Sequence, residues 1–177
     1  MPKSATSTHS LVTMALFTAI VCLSAYLSIP LPMGTHLTLM NFTIMLVTLL
    51  FPAKQSGFIV ATWLLIGCTG IPVYAGGVGG IGYLISQYGG YNFGLLLTSI
   101  LLPLLRGRKY HRLRYTILSV AGSIIVDIIG TAWLMLIGGV SLQAALVAGF
   151  YPFIVFDIAK AVMAAQVVPM FQRVIHG

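Results

Sequence analysis

Asp157 and Lys160 are the residues of this chain most able to do chemistry. They stand three apart in an otherwise apolar run, Tyr151-Pro152-Phe153-Ile154-Val155-Phe156-Asp157-Ile158-Ala159-Lys160. A spacing of three sets both side chains on one helix face. Proline is tolerated in a first helical turn. If Pro152 opens the helix at a membrane surface, the rise per residue puts Asp157 roughly 7 Å and Lys160 roughly 12 Å inside. An ionisable group at membrane depth costs on the order of 3 kcal/mol, so it faces a partner or a cavity and usually marks a pathway or a site. The pair can accept from N–H donors and donate to a carbonyl or a carboxylate. The plainer alternative is an ion pair that only ties helices together.

The one other acid, Asp127, has Ser123 and Thr131 at helical spacing on its side. A proton relay, a ligand contact and a buried partner for Lys160 are all open to it. Residues 72–91 hold seven glycines and four tyrosines. Such a run is a loop or a broken helix, and its glycines let backbone pass close to a ligand and leave amides free. It reads as a lid, with a flexible spacer as the alternative. Gly77-Val78-Gly79-Gly80-Ile81-Gly82 formally matches a dinucleotide fingerprint. No strand precedes it and no acid follows about 20 residues on, so that reading fails.

Other chemistries are excluded by what the chain lacks. There is no phosphate-binding loop of the Gly-x-x-x-x-Gly-Lys-Ser/Thr type, and no glutamate for a zinc-protease helix. Two aspartates are too few for a typical metal-dependent phosphotransferase. A membrane enzyme is therefore the weaker class, and neither a metal nor a cofactor is expected.

The elements that must position these residues follow from composition. The chain has 177 residues, 59% hydrophobic and 6% charged, against about 25% charged in soluble domains. Apolar runs long enough to cross a bilayer recur. They predict an all-α integral membrane protein with six spans, at about 11–29, 35–51, 55–69, 92–105, 115–137 and 152–171. The second is polar at its start, with His36, Thr38 and Asn41, and a short amphiphilic piece covers 141–151. Cys22 and Cys68 lie in apolar runs and read as packing residues.

The net charge of +7 is sorted by loop rather than striped among aromatics, which argues against nucleic acid. With six spans and an inside N-terminus, Lys3, Lys54, Arg106, Arg108, Lys109, Arg112, Arg114 and Arg173 all fall on the cytoplasmic side. That is the bias expected of cytoplasmic loops. Both termini and the basic loop 106–114 are then cytoplasmic, and the glycine-rich loop 72–91 faces outward. In the first span Ala15 and Ala19 form a small-x-x-x-small pair that permits close helix approach. Alone, it speaks for packing more than for a partner.

Three segments, taken in order and spacing, resemble a known family. They are Gly70-Ile71-Pro72-Val73-Tyr74-Ala75-Gly76-Gly77 with Gly79-Gly80, then Gly89-Gly90-Tyr91 with Gly94, and Pro152-Phe153 followed by Asp157-Ile158-Ala159-Lys160-Ala161. Together they resemble the BioY family, the substrate-binding (S) components of energy-coupling-factor (ECF) biotin transporters, nearly end to end. The resemblance implies a compact six-helix bundle, multi-pass in a bacterial-type cytoplasmic membrane. It would bind biotin from outside and dock on a transmembrane coupling (T) subunit driven by two ATPase subunits.

On that resemblance Ala15 and Ala19 match the docking motif, and Asp157 and Lys160 match the acid and lysine of the last helix. Biotin's ureido ring offers two N–H donors and a carbonyl. Asp157 can accept from the former and Lys160 can donate to the latter, or Lys160 can pair with the valerate carboxylate. Tyr74, Tyr83, Tyr91, Phe150 and Phe153 are candidate walls, with Gly77, Gly79 and Gly80 approaching the ligand through backbone. The chain departs from the family pattern at Ser86-Gln87-Tyr88, where Gly-Pro-Thr is common, and at Phe156, where glycine is common. These departures leave another vitamin, or a biotin precursor, as the alternative substrate.

Overall fold

The computed structural model describes residues 8–30, 36–107 and 109–176, most of them helical. Lys3, Arg108 and the first residue of the predicted second span, at 35, lie outside the described residues. The elements run α1 (Thr8–Ser24), β1 (Ser28–Pro30), β2 (His36–Thr38), α2 (Met40–Leu50), α3 (Ala53–Cys68), α4 (Ile81–Ile85), α5 (Gly89–Leu105), α6 (Arg112–Gly138), α7 (Leu142–Gly149) and α8 (Tyr151–His176). α6 and α8 are long and apolar enough to cross a membrane, whereas α1, α2 and α5 are apolar but shorter.

The first apolar run behaves differently from the expectation of helix to residue 29. α1 ends at Ser24, whose hydroxyl donates to the Val21 carbonyl at 2.6 Å. The chain then turns into an antiparallel hairpin that pairs Ser28 with Thr38, Ile29 with Leu37 and Pro30 with His36. Proline biases the residue before it toward extended backbone, so Pro30 works against helix at Ile29. Hydropathy alone does not see this, because Leu27 and Ile29 are as apolar as the helix before them.

Large apolar side chains point outward, among them Leu11, Leu16, Leu23, Leu65, Leu104, Leu136 and Val155. The interior instead holds Thr18, Thr48, Ser56, Thr98, Ser119 and Ser123 beside Ile44, Met45, Trp63 and Tyr115. Small polar residues between helices with an apolar exterior suit a hydrocarbon solvent. Several hydroxyls satisfy themselves within their own helix, as when Thr18 donates to Met14 O at 2.9 Å and Thr48 to Met45 O at 2.6 Å. Internal satisfaction is what a solvent without hydrogen bonds demands.

One cation is also inside. Arg106, expected in a basic loop, is buried at the end of α5 and donates to the Tyr115 hydroxyl at 2.9 Å and to the Leu50 carbonyl at 3.2 Å. Its guanidinium carbon lies 5.8 Å from the Tyr115 ring centre, within cation–π range. A cation on the last carbonyl of α2 also suits the negative end of that helix's dipole.

Candidate functional site

The site is a partly open cavity lined by residues that are far apart in the chain. β2 supplies His36 and Thr38, α2 Met40 and Asn41, and α5 Tyr91, Asn92 and Leu95. α6 supplies Asp127, and α8 supplies Phe153, Asp157 and Lys160. Ala75, Tyr83 and Tyr88 come from the glycine-rich segment. It has about 80 Å³ of free room and is concave as ligand sites are. Its mix of aromatic wall and few polar groups is also that of a ligand pocket.

Asp157 and Lys160 form the ion pair their spacing predicts, with Lys160 Nζ 2.5 Å from Asp157 Oδ1. Nζ also donates to the Thr38 carbonyl at 2.8 Å, which ties α8 to the hairpin. Both side chains are largely shielded, at 12% and 8% exposure for Lys160 and Asp157. The pair therefore carries its charges inside the protein and into the cavity. Asp127, 1% exposed, lines the same cavity within electrostatic reach of both.

The glycine-rich segment is an ordered cap. Trp63 Nε1 donates to Val73 O at 2.8 Å, and the Tyr74 hydroxyl to Leu64 O at 2.7 Å. Gly80 N donates to Gly67 O at 2.7 Å. These bonds fasten 73–80 to the end of α3. At the other end of the segment, Trp133 Nε1 donates to Ser86 O at 2.9 Å.

The candidate residues of this segment divide. Tyr74 is fully buried beside Trp63, 5.6 Å between ring centres, and does not line the cavity. It stacks on Tyr83, 5.3 Å away, and Tyr83 does line it. Gly67 makes the socket for Tyr74, since a Cβ there would lie 2.1 Å from the ring. Gly77, Gly79 and Gly80 shape the turn outside the cavity lining, with Gly77 and Gly80 at φ values of 72° and 98° that favour glycine. Burial pushes the Tyr83 phenol up to about 12, with Tyr88 adding to the effect, so it remains a neutral donor.

Tyr91 lines the cavity, its ring 6.0 Å from that of Phe153, and its hydroxyl donates to Gly149 O at 2.6 Å. Phe150 stands against Tyr151 and outside the lining. Ala15 and Ala19 are exposed on α1 and line a separate, apolar and more open groove with Phe58, Thr62 and Ile66 of α3. Sequence reasoning did not assign Asn41, Asn92, Thr38, Met40, Tyr88, Leu95 or His36 to the site. An amide within an apolar run was the available signal for Asn41 and Asn92, since hydrocarbon surroundings penalise it as they do a charge.

Fold and site thus define a helical membrane protein closed around one cavity of mixed polarity. The chain belongs to the BioY family, whose model matches residues 1–177. A biotin transporter, BioY2, of Lactococcus lactis subsp. cremoris is 33% identical over 159 residues, covering 89% of this chain and 87% of the relative. A biotin transporter of Thermotoga maritima is 33% identical over 159 residues, covering 90% and 93%. Among solved structures, the S-component for biotin from an ECF-type ABC transporter superposes with a TM-score of 0.83. It covers 98% of this chain and 95% of that one at 24% identity, a likeness of fold.

Proposed function

We propose that the chain captures biotin and carries it across the cytoplasmic membrane as the S component of an ECF-type ABC transporter. The observation that carries this reading is the Asp157–Lys160 pair, shielded from solvent and presented to a cavity in a BioY-family chain. Asp157 can accept from the ureido N–H groups, and Lys160 can donate to the ureido carbonyl or to the valerate carboxylate. Tyr83, Tyr91 and Phe153 offer apolar wall to the thioether ring and aliphatic tail. The chain acts as a transporter subunit, with ATP hydrolysis supplied by its partners.

Six spans, both termini cytoplasmic, complete the reading. α1, α2, α3, α5, α6 and α8 overlap the six apolar runs, and the described basic residues Arg106, Lys109, Arg112 and Arg114 lie from the end of α5 to the first turn of α6. Lys and Arg excess marks cytoplasmic loops. The apolar groove holding Ala15 and Ala19 is the surface for the T subunit, because small residues let a partner helix approach closely.

Isothermal titration of biotin into detergent-purified protein, stripped of bound ligand, tests the substrate. Saturable binding at one site per chain, not displaced by riboflavin or thiamine, is the expected result. Absence of binding by folded protein would refute it. One observation favours a precursor as a second substrate: Tyr88, part of the departure from the family pattern, lines the cavity. Competition by dethiobiotin, which keeps the ureido group, measures that directly.

A further inference from the structure

The Asp157–Lys160 pair accounts for only part of the cavity's polar surface. Asn41 on α2, Asn92 on α5 and Asp127 on α6 also reach it, at 7%, 3% and 1% exposure. Asn41 Nδ2 and Oδ1, Asn92 Nδ2, Asp127 Oδ2 and the cavity-lining His36 Nδ1 have no hydrogen-bond partner among the described residues. Leaving a buried donor or acceptor unsatisfied costs its full desolvation penalty, and a protein interior almost always satisfies such groups. Three helices each carry this cost at a single place. The cost is recovered if a ligand group supplies the partners.

The chemistry of that group follows from the inventory. Asp127 Oδ2 and Asn41 Oδ1 are acceptors, and the two Nδ2 atoms are donors. The partner must therefore present both N–H and C=O. A carboxylate presents acceptors alone, and it would leave Asn41 Oδ1 without a donor. Lys160 is the one cation among the cavity residues, and Asp157 already neutralises it. A cyclic urea fits, because it carries two N–H donors and a carbonyl with two lone pairs.

The geometry points to Asn41, Asn92 and Asp127 as a second set of ureido-reading residues. Asp127 takes one ureido N–H while its neighbour Asp157 takes the other, and an asparagine amide shares the carbonyl with Lys160. The carboxylate-bearing tail then lies away from the two acids. This assignment rests on the biotin reading above and deepens it by fixing which end of the ligand meets which residues.

The test compares biotin with its two mono-N-methyl regioisomers on the wild-type chain and on Asn92→Leu, Asp127→Leu and Asp127→Asn. Asn92→Leu and Asp127→Leu should each weaken biotin by about tenfold or more, since each removes a hydrogen bond to a buried polar group. Asp127→Asn, which keeps a carbonyl acceptor, should recover most of the loss. Asp127→Leu should leave unchanged the affinity for the regioisomer whose methyl replaces the N–H that Asp127 reads. Ligand-free melting temperature should hold or rise in Asn92→Leu, because an unpartnered amide is removed. Unchanged biotin affinity in Asn92→Leu and Asp127→Leu would overturn this inference and leave the biotin reading intact. A fall in ligand-free melting temperature that tracks the affinity loss would overturn it too, by showing a structural role. A wild-type chain that binds no biotin would bring down both.

Discussion

The cavity and the α1–α3 groove are both concave and both largely apolar, yet they differ in the polar groups they hold. The cavity is lined by Asp127, Asp157, Lys160 and two asparagines. The groove is lined by Met14, Ala15, Ala19, Phe58, Ile66 and other apolar side chains, with threonine hydroxyls at Thr18 and Thr62. Polar groups held away from water repay their desolvation only when a specific partner meets them. Small apolar surface facing hydrocarbon has no such debt and gains mainly by close packing with another helix. On the proposed reading, the contrast keeps solute recognition and subunit recognition separate by chemistry within one bundle.

The strongest way to break the contrast is Lys160→Ala. Removing one partner of a buried pair leaves the other charge uncompensated, at about 3–5 kcal/mol. Biotin affinity should fall by about 100-fold or more by titration, while the membrane-inserted protein still elutes as a single species. Retained affinity would remove the pair from the site. The converse experiment fills the groove with Ala15→Trp and Ala19→Trp. Sites that share no partners are nearly additive, so biotin affinity should stay within about twofold, whereas uptake by cells expressing the complete transporter should be lost. If binding and uptake fell together, the two regions would not be separate.

Two smaller effects sharpen the boundary between wall and cap. Tyr74→Phe deletes the hydroxyl that donates to Leu64 O, and should cost about 1 kcal/mol of stability in a denaturation series with little change in affinity. Tyr83 bears on pH. Its phenol is held above the ordinary value of 10, at about 12, by burial first and by Tyr88 second. Folding therefore favours the protonated form, and this contribution is complete below about pH 10 and lost as pH rises toward about 12. Melting curves between pH 9 and 11 should fall less steeply for Tyr83→Phe than for the wild type.

What could be read beforehand depended on whether a residue's role is set locally. The Asp157–Lys160 contact follows from helical spacing alone, and it forms. Apolar runs located helical segments because burial of backbone polar groups in hydrocarbon leaves helix as the economical answer. Tyr74 and Tyr83 were indistinguishable in one dimension. Both are tyrosines among glycines, and what separates them is Gly67, a residue of α3 that opens a socket for one of them. Asn41, Asn92 and Asp127 belong together only after α2, α5 and α6 converge. Nothing in their separate neighbourhoods announces a shared cavity. The hairpin between α1 and α2 was missed because its residues are apolar enough to extend the helix on paper, while backbone preference near Pro30 decides otherwise.

The buried guanidinium of Arg106 gives α2 the mechanics of a beam held at both ends. One joint is the Leu50 carbonyl, held through Arg106 to Tyr115. Met40 and Asn41, at the other end of this 11-residue helix, face the cavity about 15 Å away. There Lys160 fastens the carbonyl of Thr38, just before the helix begins. The shape of the cavity is thus set partly by a joint that touches none of its walls.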